Sequence, residues 1–333
     1  MNIALPLALI VFLALGFDYI NGFHDTANAI ATVVSTGVLS ARKAILMAGI
    51  LNFGGALMGT AVAITIAKGI ADSQYVVPAV VIAALIAAIL WNLITWYFGI
   101  PSSSSHALVG GLSGAVIAHA GRSALHTTKL KEVGTFLVVS PLLGLFIGML
   151  LILAILWLCR RIPSHRVNVA FRKLQLVSAA TMAFAHGTND AQKSMGIIAL
   201  GLITYGKLTA HGIHVDVPVW VKLACATAMG LGTMSGGWKI IKTMGSKIVK
   251  LRPIHGFAAE TSAAIVLLTT AHFGIPVSTT HVISGAIMGV GTSMNASAVR
   301  WGVAGNILVA WILTIPVSAL LAAGVLKLIY PYF

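Results

Sequence analysis

Acidic residues are what this sequence most lacks: seven Asp and Glu stand against 21 Lys and Arg in 333 residues, a formal charge of +14. Charge of either sign is scarce. It makes up 8% of residues against ~25% in soluble domains, while 58% are hydrophobic. So few ionisable groups cannot cover a compact particle of this size in water, which excludes an aqueous enzyme. Low hydrophobicity and a strict polar period are missing too, so disorder, coiled coil and collagen are excluded. Cysteine is nearly absent. Cys159 and Cys225 stand alone in or beside apolar stretches and suggest neither a disulfide framework nor a metal site. What remains is an all-α polytopic membrane protein that needs no cofactor, with lipid as its main solvent.

A helix crossing the ~30 Å hydrocarbon layer needs about 20 apolar residues. Ten segments qualify: 3–40, 44–67, 78–98, 102–120, 134–159, 174–205, 217–237, 254–273, 277–297 and 299–327. The stretch from Met1 to Phe17 has no basic n-region, so the first segment is expected to be retained and not cleaved as a signal peptide. The basic residues form short clusters between these segments and make no single stripe, which argues for topology and against nucleic acid. Arg160, Arg161, Arg166, Arg172 and Lys173 lie two segments from Lys239, Lys242, Lys247, Lys250 and Arg252, so the two clusters share a side. If every segment crosses once, Arg42, Lys43 and Arg300 join them, and that side is cytoplasmic by the positive-inside rule. Three acids, Asp72, Glu132 and Asp216, then face outside with both termini.

The chain repeats itself. FGIPSSSSHALVGGLSG at 98–114 aligns with FGIPVSTTHVISGAIMG at 273–289, with Gly110 and Gly114 matching Gly285 and Gly289. A weaker pair sets GFHDTAN at 22–28 against GTNDAQK at 187–193. The halves are 1–159 and 174–333, joined by a basic cytoplasmic connection at 160–173. Five crossings per half is an odd number, so the second copy enters from the opposite face, the inverted-repeat plan of secondary transporters. Segments 3–40 and 174–205 exceed one crossing and carry polar stretches at Asp18–Asn28 and His186–Lys193. Both are expected to be broken helices that meet at the midplane.

Four acids lie at membrane depth, Asp18, Asp25, Asp190 and Glu260, where an unpaired charge is expensive and marks a functional site. Asp25 and Asp190 are related by the repeat and suit cation coordination or proton carriage; Asp18 and Glu260 have no repeat mate. Lys193, three residues after Asp190, is a cation inside an apolar segment and suits a substrate or coupling role. The hydroxyl runs after Pro101 and Pro276 read as helix starts, because Pro favours the first turn and Ser or Thr the N-cap. Such an end, positive and rich in donors, binds anions. His106 and His281 sit one turn into those helices at matching positions. The GxxxG spacing of Gly110 and Gly114 serves close helix packing.

GFHDTANAIAT at 22–32, FAHGTNDAQKSMG at 184–196, WYFGIPSSSSH at 96–106 and GIPVSTTH at 274–281 resemble the signatures of the inorganic phosphate transporter family, over nearly the whole chain. The resemblance implies a symporter in the bacterial plasma membrane that imports phosphate by alternating access. It implies phosphate contacts from Ser103, Ser104, Ser105, Ser278, Thr279 and Thr280, and coupling-ion and phosphate sites at Asp25, Asn28 and Asp190; beside Asp190, Lys193 is a further candidate for phosphate and Asn189 for the coupling ion. Sodium-coupled members resemble Asn-Asp-x-x-Asn in both repeats; here the copies read His24-Asp25-Thr26-Ala27-Asn28 and Asn189-Asp190-Ala191-Gln192-Lys193. An ammonium in place of an amide oxygen repels sodium, so proton coupling is expected, with phosphate carried free or as a neutral divalent-metal complex. The expected partners are phosphate, a proton or sodium, the bilayer and, in a homodimer, a second copy. Sodium coupling and sulfate transport on the same scaffold are the alternatives; an intramembrane hydrolase or a passive channel fits the duplicated site less well.

Overall fold

The computed structural model describes residues 4–69, 73–208 and 216–333, and among them there is no β-strand. Its helices are α1 (Ala4–Ser35), α2 (Ala41–Ala56), α3 (Ala61–Gly69), α4 (Pro78–Phe98), α5 (Ser104–Ala120) and α6 (Thr127–Cys159), followed by α7 (Ser164–Thr204), α8 (Val219–Ser235), α9 (Trp238–Lys242), α10 (Pro253–His272), α11 (Thr279–Met294) and α12 (Trp301–Ile329). α9 continues into a π-helical turn at Thr243–Lys247. Asp72 lies outside the described residues. Among the described residues five helices are long and apolar enough to cross a bilayer by themselves: Leu5–Ser35, Pro78–Phe98, Thr127–Cys159, Pro253–His272 and Trp301–Tyr332.

The polar stretches expected to break the first and sixth segments do not break them. α1 runs unbroken through Asp18–Asn28 and α7 through His186–Lys193. Neither stretch contains proline, and their polar groups find partners without leaving the helix: the Thr26 hydroxyl donates to the Gly22 carbonyl one turn back at 2.7 Å. The real interruptions fall elsewhere, between α2 and α3, between α8 and α9, and at the two FGIP turns. Within the connection expected at 160–173, α7 begins at Ser164.

The two FGIP turns are alike. Gly99 ends α4 and Gly274 follows α10, with φ of 67° and 68°, a conformation that side chains with a Cβ rarely adopt. Ser103 and Ser278 then cap α5 and α11, each accepting a hydrogen bond from the backbone N–H of the His three residues on. α4 and α5 thus form a hairpin. α4 starts in a cleft with Pro6, Tyr205 and Tyr330, and α5 returns to put His119 against Tyr330. The α10–α11 hairpin comes from the opposite end: α10 starts in a cleft with Thr36 and Arg160, and just beyond α11 the Arg300 N–H donates to the Ile248 carbonyl.

Small residues allow the remaining helices close approach. A Cβ on Gly114 would stand 2.3 Å from the Ala319 carbonyl oxygen of α12, and one on Gly289 would stand 2.0 Å from that of Leu145 in α6. α1 and α7 lie antiparallel across the centre, Asp18 near Ser194, Asn21 near Asp190 and Thr36 near Gln175. The apolar core is divided in two. One part gathers around Ile10–Phe17, α4, α5 and Met195–Leu202; the other around Ala27–Val33, Ala179–Ala185, α10 and α11. The polar layer lies between them.

Candidate functional site

On α1, Asp18, Asn21, Asp25, Asn28 and Thr32 recur at spacings of three and four, so one polar stripe faces the centre. The starts of α5 and α11 meet that stripe at its middle. Ser104 Oγ stands 2.6 Å from Asn21 Oδ1 and 2.9 Å from Asp25 Oδ2. From the opposite hairpin, Thr280 Oγ1 is 3.3 Å from Asp25 Oδ1 and Thr279 Oγ1 is 3.2 Å from Asp190 Oδ2. Asn28 Nδ2 donates to both threonine hydroxyls, at 3.1 and 2.9 Å. The hairpin turns touch directly, the Ser105 hydroxyl donating to the Val277 carbonyl at 3.1 Å.

Lys193 closes the ring. Its ammonium stands 2.5 Å from Asp190 Oδ1 and 2.5 Å from Ser105 Oγ, buried to 1% exposure. A lone ammonium at this depth would be very costly; with a carboxylate beside it the two charges cancel. Asp25 is balanced differently. His24 Nδ1 lies 2.6 Å from its Oδ1, and the other ring nitrogen reaches Thr95 Oγ1 at 3.1 Å, so α4 holds the imidazole in place. His186 Nε2 approaches Asp190 Oδ2 at 3.4 Å. Ligand atoms of Asp25, His186 and Asp190 all fall within 4.8 Å of one another, a spacing that suits a cation, and Lys193 already supplies a positive charge there.

Several expected site residues take other positions. Ser103 and Ser278 spend their hydroxyl oxygens on capping. Asn189 is buried, with no hydrogen-bond partner for its amide among the described residues. His106 and His281 pack edge to face with ring centroids 4.4 Å apart, and His281 stacks on Trp311 at 3.8 Å. They line an apolar cleft of about 500 Å³ with Leu137 and Pro141 of α6 and Ile312 of α12, and do not bond to the carboxylates. Glu260 sits apart as well. Its carboxylate accepts from Thr32 and Ser178, each at 2.5 Å, and from Gln175 at 3.0 Å, which ties α10 to α1 and α7.

The structure adds Asn21, His24 and His186 to the site. Asn21 and His186 each precede one of the paired aspartates by four residues, one turn on the same helical face, and that spacing was the available signal. The assembled centre offers hydroxyl donors, two helix starts and one ammonium, together with two carboxylates that can accept hydrogen bonds. That donor set matches a tetrahedral oxyanion that keeps a hydrogen of its own.

The profile of the phosphate transporter family, PHO4, matches residues 21–322. A probable low-affinity inorganic phosphate transporter of Bacillus subtilis is 50% identical over 317 residues, 95% of this chain and 94% of that one. A protein of the same description from Rhizobium meliloti is 50% identical over 324 residues, 97% and 96% of the two chains. Among solved structures, one described as the sodium-dependent phosphate transporter superposes with a TM-score of 0.88 at 26% identity, covering all of both chains.

Proposed function

The chain belongs to the phosphate transporter family, and on that premise we propose that it imports inorganic phosphate across the bacterial plasma membrane by proton symport with alternating access. It is a transporter and not an enzyme. One observation carries the reading: two helix starts, approaching from opposite ends of the bundle, meet around Asp25, Asp190 and Lys193. Phosphate oxygens take the hydroxyls of Ser104, Ser105, Thr279 and Thr280, the Asn28 amide and the Lys193 ammonium. The phosphate hydroxyl donates to a carboxylate. Sulfate has no such hydrogen at neutral pH, and against two carboxylates it is the worse ligand.

Coupling follows from charge. Phosphate adds one or two negative charges to a layer that holds Asp25, Asp190 and a single ammonium, and a low-dielectric site does not accept that excess unneutralised. A cation has to enter with the anion. Lys193 occupies the position beside Asp190 where a second cation would bind, which favours a proton. The sodium-dependent relative favours the other reading, sodium coupling at the remaining carboxylate.

The proposed architecture is two inverted halves, α1–α6 and α7–α12. Each crosses three times, through its long first helix, its interrupted pair and its long last helix, and each sends one hairpin to the centre and back. Three is odd, so the halves are inverted. The contacts supporting this are reciprocal: α5 packs on α12 and α11 on α6, α1 on α8 and α2 on α7. Thr243 donates to the Gly99 carbonyl at one turn, and Thr65 to the Gly274 carbonyl at the other. The end bearing Arg42, Arg160, Arg172 and Arg252 is the cytoplasmic one by its basic excess.

Proteoliposomes test the function. Labelled phosphate is expected to accumulate under an imposed proton gradient, to collapse with a protonophore, and to be displaced by arsenate but not by sulfate. Accumulation driven by sodium alone, or no accumulation above equilibrium, refutes the proton-symport reading.

A further inference from the structure

Asp25 and Asp190 are each surrounded by donors, whereas a third acid in the same layer has only a hydroxyl and a thiol beside it. Asp18 is fully buried, and among the described residues neither of its carboxylate oxygens has a hydrogen-bond partner. It lies on the polar stripe of α1, one turn from Asn21 and two from Asp25. Its polar neighbours are Ser194 of α7 and Cys225 of α8, and Asp190 and Lys193 are within electrostatic reach. The Ser194 hydroxyl has no other partner among the described residues. α4, packed on α1, has no Asp, Glu, Lys, Arg or His along Pro78–Phe98, the charges of α2, Arg42 and Lys43, stand at the far end of α1, and α8 carries Lys222 one turn before Cys225.

With only a neutral hydroxyl and a thiol facing it in such a setting, the ionised carboxylate is disfavoured against the neutral acid. Asp18 also competes with phosphate. Lys193 supplies one positive charge, and the anions within its reach are Asp190, an ionised Asp18 and any bound phosphate. With Asp18 ionised, phosphate enters a field already overdrawn; with Asp18 protonated, that field carries one negative charge fewer while Lys193 stays paired with Asp190. Proton and phosphate therefore favour each other's binding, and by linkage they do so equally. Resting on the proton-symport reading above, we infer that Asp18 is the residue that carries the coupled proton. Its carboxylate takes a proton from water on the side where phosphate enters and holds it while the site is closed. The O–H bond then breaks to return the proton to water on the other side.

The test compares wild type with Asp18→Asn and Asp18→Glu in proteoliposomes. Wild type is expected to bind phosphate more tightly as pH falls, with a coupling of about 5- to 150-fold, and to accumulate it under a proton gradient. D18N is expected to keep phosphate–phosphate exchange, to lose the pH dependence of binding, and to equilibrate phosphate without accumulating it. D18E restores proton-driven accumulation with a displaced pH profile. Equal proton-driven accumulation by D18N and wild type overturns the assignment while leaving proton symport intact; wild type driven by sodium alone overturns both. If D18N fails to insert, the infrared carbonyl band of a protonated carboxyl in wild type, shifted in D18E, supports the assignment, and a D18E spectrum and pH profile identical to wild type overturn it.

Discussion

Lys193 is the single side chain on which the coupling argument turns. Its ammonium neutralises Asp190 at 2.5 Å and holds the start of α5 through Ser105. Asparagine removes the charge and offers an amide oxygen that can ligate sodium. Lys193→Asn is expected to make phosphate uptake depend on sodium, measured in proteoliposomes with and without a sodium gradient. Without sodium, the uncompensated Asp190 is expected to cost about 3–5 kcal/mol of stability, the usual penalty for breaking a buried ion pair. Uptake that stays sodium-independent at wild-type rate contradicts the fixed-cation role. At this scale the sequence is informative where residue type and repeat coincide: the repeat pairs Asp25 with Asp190 and one hydroxyl run with the other, and these side chains lie within hydrogen-bond reach of one another. It was silent on distance. Glu260 and Asp25 are both membrane-depth acids in the sequence, and only the fold separates a carboxylate held by three donors on two helices from one facing the centre.

The elements were legible to different degrees. The Pro-Ser and Pro-Val-Ser stretches announce helix starts through backbone chemistry that is local, and α5 and α11 begin where that chemistry puts them. The unbroken course of α1 and α7 is not legible, because in the sequence a polar stretch inside an apolar segment looks the same whether the helix breaks or continues. In a protein interior polarity demands partners, and the partners come from helices remote in sequence. The GxxxG stripes lie between these cases: small residues at i and i+4 promise a close neighbour without naming it. Here α5 meets α12 and α11 meets α6. Gly289→Val is expected to force α11 from α6, since its Cβ would fall 2.0 Å from the Leu145 carbonyl oxygen, and to cost at least about 1–3 kcal/mol. Gly302→Ala, with nothing within 4 Å of its Cβ, is the control. Thermal unfolding in detergent measures both, and equal midpoints would show that the contact does not constrain α11.

For the whole molecule, the proposed topology makes a simple demand. Arg160–His165 and the segment before α10 belong to one end of the bundle, since His165 and Arg252 line the same cleft. Single cysteines replacing His165 and Lys250, in a protein otherwise free of cysteine, are expected to react with an impermeant maleimide from the same membrane face, the cytoplasmic one. Labelling from opposite faces contradicts the arrangement of the halves. The reversal of α4–α5 and α10–α11 at the centre could not be read from hydropathy, because each arm is apolar enough to pass for a span of its own.

The contact between the two FGIP turns, Ser105 hydroxyl to Val277 carbonyl, has an electrical consequence. If water reaches the turns from either side as the transporter opens, the seal between the two compartments is a layer only one site thick. The membrane voltage then falls across that layer and not over the full bilayer, and each elementary charge carried through it is worth about 2.3 kcal/mol per 100 mV. A short step inside the protein thereby harvests the whole potential. The steepness of uptake against an imposed potassium diffusion potential reads out how many net charges accompany each phosphate.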